Sequence, residues 1–254
     1  MLNAYNSLII AINEAGLTQI LYQLFNIVNI TVLLLYCNHN RKHYGLSASK
    51  ALLSIVILYA LGYLWIYIIG WASTGFKHFG SNNIVKGFIY FPLIALLPCR
   101  LFNIDKAVMC DYCAPCMSLL QGVAHIACSF AGCCHGYRTD WGIWNVSYEC
   151  YMFPIQLLES LVAFLIFAFI EIYSKKANMY GKGRLYPISL ILFGSTRFFL
   201  EFLRDNKKVF FGISDLALHA GLMVLVGIAW LMELNDRERK KQKSAGTPKK
   251  SKAR

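Results

Sequence analysis

The chain has 254 residues, of which 57% are hydrophobic and 15% charged, and its formal net charge is +12. A water-soluble surface uses far more charge, and the apolar residues here form long blocks, which excludes an ordinary soluble domain and indicates an integral membrane protein. Nine of the 25 Lys and Arg residues lie between Arg237 and Arg254. Such a tail is typical of a solvated segment beside anionic lipid headgroups. No folded basic module accompanies it, so we expect no nucleic-acid partner.

Seven apolar segments approach the length of about 20 residues that a helix needs to cross a bilayer. They are residues 16–37, 51–72, 84–100, 108–133, 154–173, 185–204 and 214–234. The third is the shortest and contains Pro92 and Pro98, so we expect it to be broken or only partly spanning. The pattern predicts an all-α polytopic membrane protein with about seven transmembrane helices, formed by residues 1–236, followed by a basic tail at 237–254.

The distribution of basic residues predicts the orientation of these helices. If all seven span, one side carries the tail and two basic loops, which contain Arg41, Lys42, Lys50, Lys175, Lys176, Lys182 and Arg184. The other side carries Lys77, Lys86 and Arg138, together with Arg204, Lys207 and Lys208 at the end of the sixth segment. We therefore expect a cytoplasmic C-terminus and an external N-terminus.

Nine cysteines lie mostly within or beside the apolar segments, where cysteine acts as a small hydrophobic residue. A metal-site interpretation is open for the group Cys110, Cys113, Cys116, Cys128, Cys133, Cys134 and His135. However, Cys113-Ala-Pro-Cys116 falls inside an apolar helix and no second paired motif completes a tetrahedral set, so we expect no metal and no cofactor. A redox pair of Cys133 and Cys134 would be strained, which favours separate packing roles.

The loop between 135 and 153 is rich in Trp and Tyr and poor in charge. This composition favours an aromatic belt at the membrane interface, with a substrate lid as the alternative. The same loop contains Asn145-Val-Ser147, a formal glycosylation sequon.

The most costly polar residues lie in the sixth segment. Arg197, Glu201 and Arg204 share one face of a helix, and an ionisable group at bilayer depth costs about 2.5–3.5 kcal/mol. This face predicts a site for an anionic ligand, in which Glu201 orients two guanidinium groups suited to phosphate oxygens. The alternative is that the helix ends near Arg197 and all three side chains extend into water.

Two further segments carry isolated polar residues. Pro154 fits the first turn of a helix, and Gln156 and Glu159 follow as neighbours on one face. Glu159 is either part of the site or a carboxylate that caps the helix. His125, taken alone on an apolar helix, is more typical of a hydrogen-bonded core residue than of a catalyst.

Four blocks of the sequence, in order, resemble the cysteine-rich form of the bacterial prolipoprotein diacylglyceryl transferase family. The blocks are Asp111-Tyr-Cys-Ala114-Pro115, the stretch from His125 to Gly136, Pro154-Ile-Gln156-Leu-Leu-Glu159, and Arg197 to Arg204 followed by Gly212-Ile-Ser214. They cover roughly residues 108 to 234.

The resemblance implies transfer of the diacylglyceryl group of phosphatidylglycerol to the thiol of a lipobox cysteine in a prolipoprotein, with release of glycerol phosphate. It also implies a bacterial cytoplasmic membrane as the location. The substrate-binding residues that follow are Arg197, Arg204, Gln156 and Glu159, and the catalytic candidates are Glu201, His125 and His135.

The sequence departs from the family pattern at several positions. His125 stands where the signature has Arg, Phe193 where a Tyr is expected, and no His-Gly-Gly segment precedes the fourth helix. His125 or His135 would then replace the missing base. The alternative function is a divergent, non-catalytic paralogue that binds anionic phospholipid or partners a membrane protein.

Overall fold

The computed structural model describes residues 2–73, 75, 84–206 and 208–245. Within them nine α-helices follow one another: α1 (Leu2–Glu14), α2 (Thr18–Asn40), α3 (Ala48–Ser73), α4 (Ile84–Ile94), α5 (Leu96–Phe102), α6 (Lys106–Ala131), α7 (Ile155–Lys176), α8 (Leu185–Leu200) and α9 (Asp215–Ala245). Two short antiparallel pairs lie between them: β1 (Arg138–Asn145) with β2 (Cys150–Met152), and β3 (Lys208–Phe210) with β4 (Ile213–Ser214).

The helical membrane architecture is confirmed. In the described part of the chain six helices are long and apolar enough to cross a bilayer, namely α2, α3, α6, α7, α8 and α9, and a shorter apolar run covers Gly87–Phe102. This run is the predicted third segment, and it is broken as expected, since α4 ends at Ile94 and α5 begins at Leu96. The helix α1 and the four strands were not predicted.

Some predictions fall at the edges of what the structure describes. Lys77, Lys207 and residues 246–254 of the expected tail lie outside the described residues. The first part of that tail, 237–245, continues α9 without a break.

The helix α6 forms the centre of the bundle. In its apolar window 72% of residues are buried, against 17% for both α2 and α3. Close packing against α7 depends on Gly122, because a Cβ there would lie 2.6 Å from the Phe164 ring. Because the two helices lie this close together, Ser160 on α7 donates a hydrogen bond of 2.6 Å to the Gly122 carbonyl. A central helix this buried can hold polar side chains away from lipid.

The basic loops gather at one end of the bundle. The ring of His43, after α2, stacks on Tyr180, between α7 and α8, with centroids 4.8 Å apart. Arg184 Nη2 pairs with Glu238 Oε2, near the end of α9, at 2.7 Å. The three basic clusters predicted to share a side therefore meet at one end of the fold, and the assignment of that end to the cytoplasm stays a prediction.

At the opposite end the loop after α6 forms a small folded cap. The Asn6 amide of α1 donates to the Gly142 carbonyl at 2.9 Å, and its oxygen accepts from the Trp144 N–H at 3.0 Å. Asn145 is buried and donates to the Gly132 carbonyl at 2.8 Å. The sequon asparagine is thus a structural residue, since a glycan on its amide would break this contact. The aromatic belt expected in the same loop stays a prediction, although Trp141 is 56% exposed.

Candidate active site

Three charged residues of the sixth segment are buried at the capped end of the bundle. The helix α8 continues past Arg197 to Leu200, and a 3-10 turn follows over Glu201–Leu203. The exposures of Arg197, Glu201 and Arg204 are 6%, 5% and 8%. The alternative that they extend into water is therefore wrong.

Both arginines converge on one carboxylate of the neighbouring helix. Arg204 Nε donates to Glu159 Oε1 at 3.1 Å, and Arg204 Nη2 and Arg197 Nη1 make further hydrogen bonds to Glu159. Glu201 completes the cluster, with its Oε2 3.1 Å from Arg197 Nη2 and 3.8 Å from Arg204 Nε. Glu159 does not cap α7, because it lies beyond the first turn, which contains no acidic residue. We call these four residues the ion cluster.

A second layer of hydrogen bonds fixes Glu201. Ser214 Oγ donates to Glu201 Oε1 at 2.9 Å, and the Asn206 amide donates to the same oxygen. Neither was among the predicted site residues. Ser214 belongs to the Gly212-Ile-Ser214 block that carries the resemblance, so the sequence contained a signal for it. Asn206 had none.

His125 contacts the ion cluster from α6. Its Nε2 lies 2.9 Å from Glu159 Oε2 and also meets the Gln121 amide, one turn earlier. The other ring nitrogen, Nδ1, is buried and has no hydrogen-bond partner among the described residues. His125 is therefore joined to the charged site, and its position four residues after Gln121 was the signal that would have identified Gln121.

Two other predicted site residues lie apart from the ion cluster. His135 Nδ1 meets the Gly136 carbonyl at 3.1 Å, and its ring packs edge-on against Tyr148. Gln156 donates to the Cys133 carbonyl at 2.9 Å instead of pairing with Glu159. The structure therefore brings together five of the seven predicted site residues, and it uses Gln156 to hold the loop that leaves α6.

This loop places two exposed thiols beside the site. Gly132, the residue that caps the C-terminal end of α6, has a φ of 70°, and Cys134 has a φ of 55° two residues later. Hydrogen bonds with the thiols of Cys128 and Cys133, followed by the positive charge of Arg204, hold the pKa of the Cys134 thiol well below its usual range. All nine cysteines lie in the described residues and none forms a disulfide.

The loop is also tied directly to the end of α8. Gly136 and Arg204 form an antiparallel bridge, and the Tyr137 N–H donates to the Leu203 carbonyl at 3.2 Å. Only glycine fits at position 136, because an added Cβ would lie 2.7 Å from the Phe153 carbonyl oxygen and 3.0 Å from that of Leu203. This bridge fixes the backbone of Arg204 relative to the thiol-bearing loop.

A series of cavities leads from the ion cluster into the apolar core. A cavity of about 10 Å³, room for about one water molecule, is lined by residues that include His125, Glu159 and Arg197. Phe193 separates it from a second small cavity, and Phe88 and Met117 line both the second and a third cavity. The third has a volume of about 120 Å³ and an almost entirely apolar lining. Arg197 Nε, at the charged end, is buried without a hydrogen-bond partner among the described residues.

A helical bundle that buries two arginines at one end of a series of cavities leading into an apolar core defines the protein's class as a polytopic membrane protein with a buried charged cluster at one end. The comparisons with known proteins then give the family. The model of the prolipoprotein diacylglyceryl transferase family matches residues 50–233, and the chain belongs to this family.

Relatives from three bacteria show the same likeness. The chain is 26% identical over 178 residues to phosphatidylglycerol–prolipoprotein diacylglyceryl transferase 2 of Clostridium perfringens, with 67% of this chain and 69% of that protein aligned. It is 31% identical over 141 residues to the transferase of Clostridium tetani, with 52% and 55% aligned. For the transferase of Leptospira interrogans the identity is 27% over 143 residues, with 52% and 45% aligned. The alignments thus span about half to two thirds of the relatives' lengths.

Proposed function

We propose that this chain transfers the diacylglyceryl group of phosphatidylglycerol to the cysteine thiol of a prolipoprotein lipobox and releases glycerol phosphate. Family membership and the names of the relatives support the reaction class. The observation that carries the proposal for this chain is the buried Nε of Arg197, which has no hydrogen-bond partner among the described residues and belongs to a side chain that lines the cavity beside the ion cluster. A buried donor without a partner costs about 1–3 kcal/mol, which a phosphate oxygen would relieve.

The ion cluster is suited to an anion because of how its charges balance. Glu159 and Glu201 neutralise the charges of Arg197 and Arg204, which makes burial of two guanidinium groups tolerable. Each guanidinium has five N–H donors, and the carboxylates use only some of them. Among the described residues Arg197 Nε has no hydrogen-bond partner, and we infer that it binds a phosphate oxygen of the lipid headgroup.

The proposed reaction is a displacement at carbon. The acceptor sulfur, as thiolate, forms a bond to the glycerol carbon of the diacylglyceryl group, the C–O bond to phosphate breaks, and its electron pair leaves with glycerol phosphate. Charge grows on the departing phosphate, so Arg197 and Arg204 stabilise the transition state more than the bound substrate. Glu159 and Glu201 position these arginines. His125 is the best-placed candidate for handling the thiol proton, because its Nδ1 has no partner among the described residues.

The apolar cavity fits the acyl chains of the donor lipid. The α6 residues that line this cavity lie between Cys113 and Leu120. The next residue of the same helix, Gln121, lines the cavity beside the ion cluster. A headgroup at the ion cluster would therefore direct its chains along α6 toward the bundle centre. In this arrangement the capped end lies at the outer face of the bacterial cytoplasmic membrane, with the basic loops inside.

A second candidate function is favoured by the sequence itself, which has no His-Gly-Gly segment before α6. In that case the chain binds anionic phospholipid, or partners a membrane protein, without transferring the lipid. The ion cluster would then serve binding alone.

The test is a transfer assay with purified full-length protein, phosphatidylglycerol labelled in its headgroup, and a lipobox peptide. We expect labelled glycerol phosphate together with a thioether-modified peptide, and a fall in rate of roughly 10²–10³-fold in R197Q. R184Q is the matched control, because Arg184 pairs with Glu238 at the far end of the bundle, and it should keep the wild-type rate. A folded wild type that binds phosphatidylglycerol and releases no glycerol phosphate would overturn transfer in favour of the binding function.

A further inference from the structure

Three potential metal ligands lie together at the end of α6. A ring nitrogen of His125 and the sulfurs of Cys128 and Cys134 all lie within 4.8 Å of one another. The first two residues are one turn apart on the helix, and the left-handed backbone at Cys134 returns the third toward them. The sequence-based expectation of no metal rested on the lack of a second paired motif, whereas here a histidine within the helix supplies the third ligand.

The surroundings of His125 match those of a metal-bound imidazole. A histidine that ligates a metal with one nitrogen usually donates its other N–H to a carboxylate, which fixes the tautomer. His125 Nε2 lies 2.9 Å from Glu159 Oε2 and is the nitrogen that donates, provided that the Gln121 amide turns its otherwise unpartnered oxygen, instead of its NH₂ group, toward the ring. The lone pair is then on Nδ1. This atom has no hydrogen-bond partner among the described residues, and water cannot easily supply one because the His125 side chain is only 5% exposed.

We propose that His125 Nδ1, Cys128 Sγ and Cys134 Sγ bind a Zn²⁺ ion whose fourth position is open to a thiolate. Imidazole and thiolate ligands suit zinc and other thiophilic ions, and they exclude Mg²⁺ and Ca²⁺, which require oxygen. Around tetrahedral zinc, with Zn–S bonds of about 2.3 Å, ligand atoms lie about 3.7 Å apart. A ring nitrogen of His125 and the two sulfurs already lie within 4.8 Å of one another, so the ligands need to close by only about 1 Å once Nδ1 faces the metal.

The fourth position stays open because the neighbouring thiol has another role. Cys133 Sγ donates to the Cys128 carbonyl at 3.9 Å. Its thiol also hydrogen-bonds with that of Cys134, but it lies outside the group of ligand atoms that are all close to one another. Zinc sites with three protein ligands and one exchangeable position are those that bind substrates. Zn²⁺ with two thiolates and a neutral imidazole carries no net charge, so it does not compete with Arg204 for the phosphate.

The open position gives the zinc ion a role that rests on the proposed transferase function. When its sulfur binds the zinc ion, the acceptor cysteine would release its proton to water, because coordination deprotonates a thiol. His125 would then hold the metal through Nδ1 instead of taking this proton. The zinc-bound sulfur then forms its bond to the glycerol carbon, and the C–O electron pair leaves with the phosphate. The product is a thioether, a weaker ligand, which leaves the metal. No oxidant or reductant is needed.

Metal content tests the proposal independently of activity. Full-length protein, purified with a reductant and reloaded with Zn²⁺ or Co²⁺ after chelation, should hold about one ion per chain and show the thiolate charge-transfer band of Co²⁺. H125A, C128S and C134S should each weaken binding by more than about 100-fold, and E159Q by about 10–100-fold. C133S and C150S are matched cysteine controls and should bind like wild type.

Several outcomes would overturn the site. They are a wild-type protein that does not hold about one metal ion per chain, a disulfide between Cys128 and Cys134 instead of a bound metal, or metal binding by C128S and C134S that equals that of the wild type. Loss of metal in C133S would overturn the open fourth position. The transfer assay separates this inference from the proposed function. Full transfer by zinc-free protein would refute the metal's role and leave the transferase intact, whereas stoichiometric zinc without transfer would refute the transferase and leave the metal site.

Discussion

Asp111 and Glu159 are both carboxylates buried between helices, and they are held in opposite ways. Asp111, on α6, is 0% exposed and accepts hydrogen bonds from three backbone N–H groups, those of Gly183 at 2.7 Å, Leu185 at 2.9 Å and Tyr186 at 3.3 Å. Glu159, on α7, is 5% exposed and is held by the side chains of Arg197, Arg204 and His125.

This difference is the reason to expect a structural role for Asp111 and a role in the proposed site for Glu159. The partners of Asp111 are backbone N–H groups at and just before the start of α8, which are fixed in the main chain and cannot turn toward a ligand. The partners of Glu159 are side chains with polar atoms, Arg197 Nε and His125 Nδ1, that have no hydrogen-bond partner in the part of the chain that the structure describes. Burial and charge alone therefore do not distinguish the two carboxylates, whereas the unsatisfied atoms of their partners do.

The largest effect is expected for E159Q. Loss of this charge leaves two buried arginines with Glu201 as their only carboxylate in the ion cluster, and it disturbs the donors proposed to hold the phosphate. We expect the transfer rate per folded molecule to fall by about 100-fold or more. E171Q is the matched control, because Glu171 lies on the same helix and pairs with Lys175. Equal rates for wild type and E159Q would show that Glu159 is as structural as Asp111.

Next in size is the effect of D111N on stability. An amide keeps one oxygen acceptor but loses the charge that several N–H groups share, which costs about 1–3 kcal/mol. The thermal unfolding midpoint in detergent should fall, and the transfer rate per folded molecule should stay within about twofold of wild type. A D111N protein with an unchanged midpoint and a lost activity would reverse the comparison and make Asp111 the functional carboxylate.

The membrane architecture was predictable because apolar segment length and helix breakers act locally. The break around Ala95, flanked by Pro92 and Pro98, illustrates this. The face shared by Arg197 and Glu201 was predictable for the same reason, since helix periodicity fixes it. The convergence of Arg197 and Arg204 on Glu159 required the packing of α7 against α8, which no local pattern encodes. The four short strands were missed because they are set by loop contacts such as the bridge at Gly136.

A tenfold effect is expected for G136A, which tests whether the ion cluster is positioned by the loop after α6. The added Cβ would collide with the carbonyls of Phe153 and Leu203 and displace the bridge to Arg204. A small misplacement of a reacting group lowers the rate steeply, here by about tenfold. G221A is the control, since its Cβ would meet only the Phe198 ring, at 3.9 Å. If G136A and G221A have equal transfer rates, the bridge does not position Arg204.

The smallest effect is expected for Ser214, which separates positioning of Glu201 from helix capping. Its Oγ donates to Glu201 Oε1 at 2.9 Å and accepts from the Ala217 N–H at 3.1 Å, at the start of α9. S214A should lower the transfer rate about threefold, because Asn206 still holds the same oxygen and only part of the about 1.5–3 kcal/mol of a hydrogen bond to a charged group is lost. S214T keeps the hydroxyl and should restore the rate.

The matched control for this last change is S174A. Ser174 is also buried, but its hydroxyl donates to the carbonyl of Glu171 within its own helix at 2.9 Å, so its loss should leave transfer unchanged. If S214A lowers only the unfolding midpoint, as loss of an N-cap does, Ser214 belongs with Asp111 among the structural residues. If S214A instead transfers more slowly and S214T restores the rate, the hydrogen bond from Ser214 to Glu201 is part of the site.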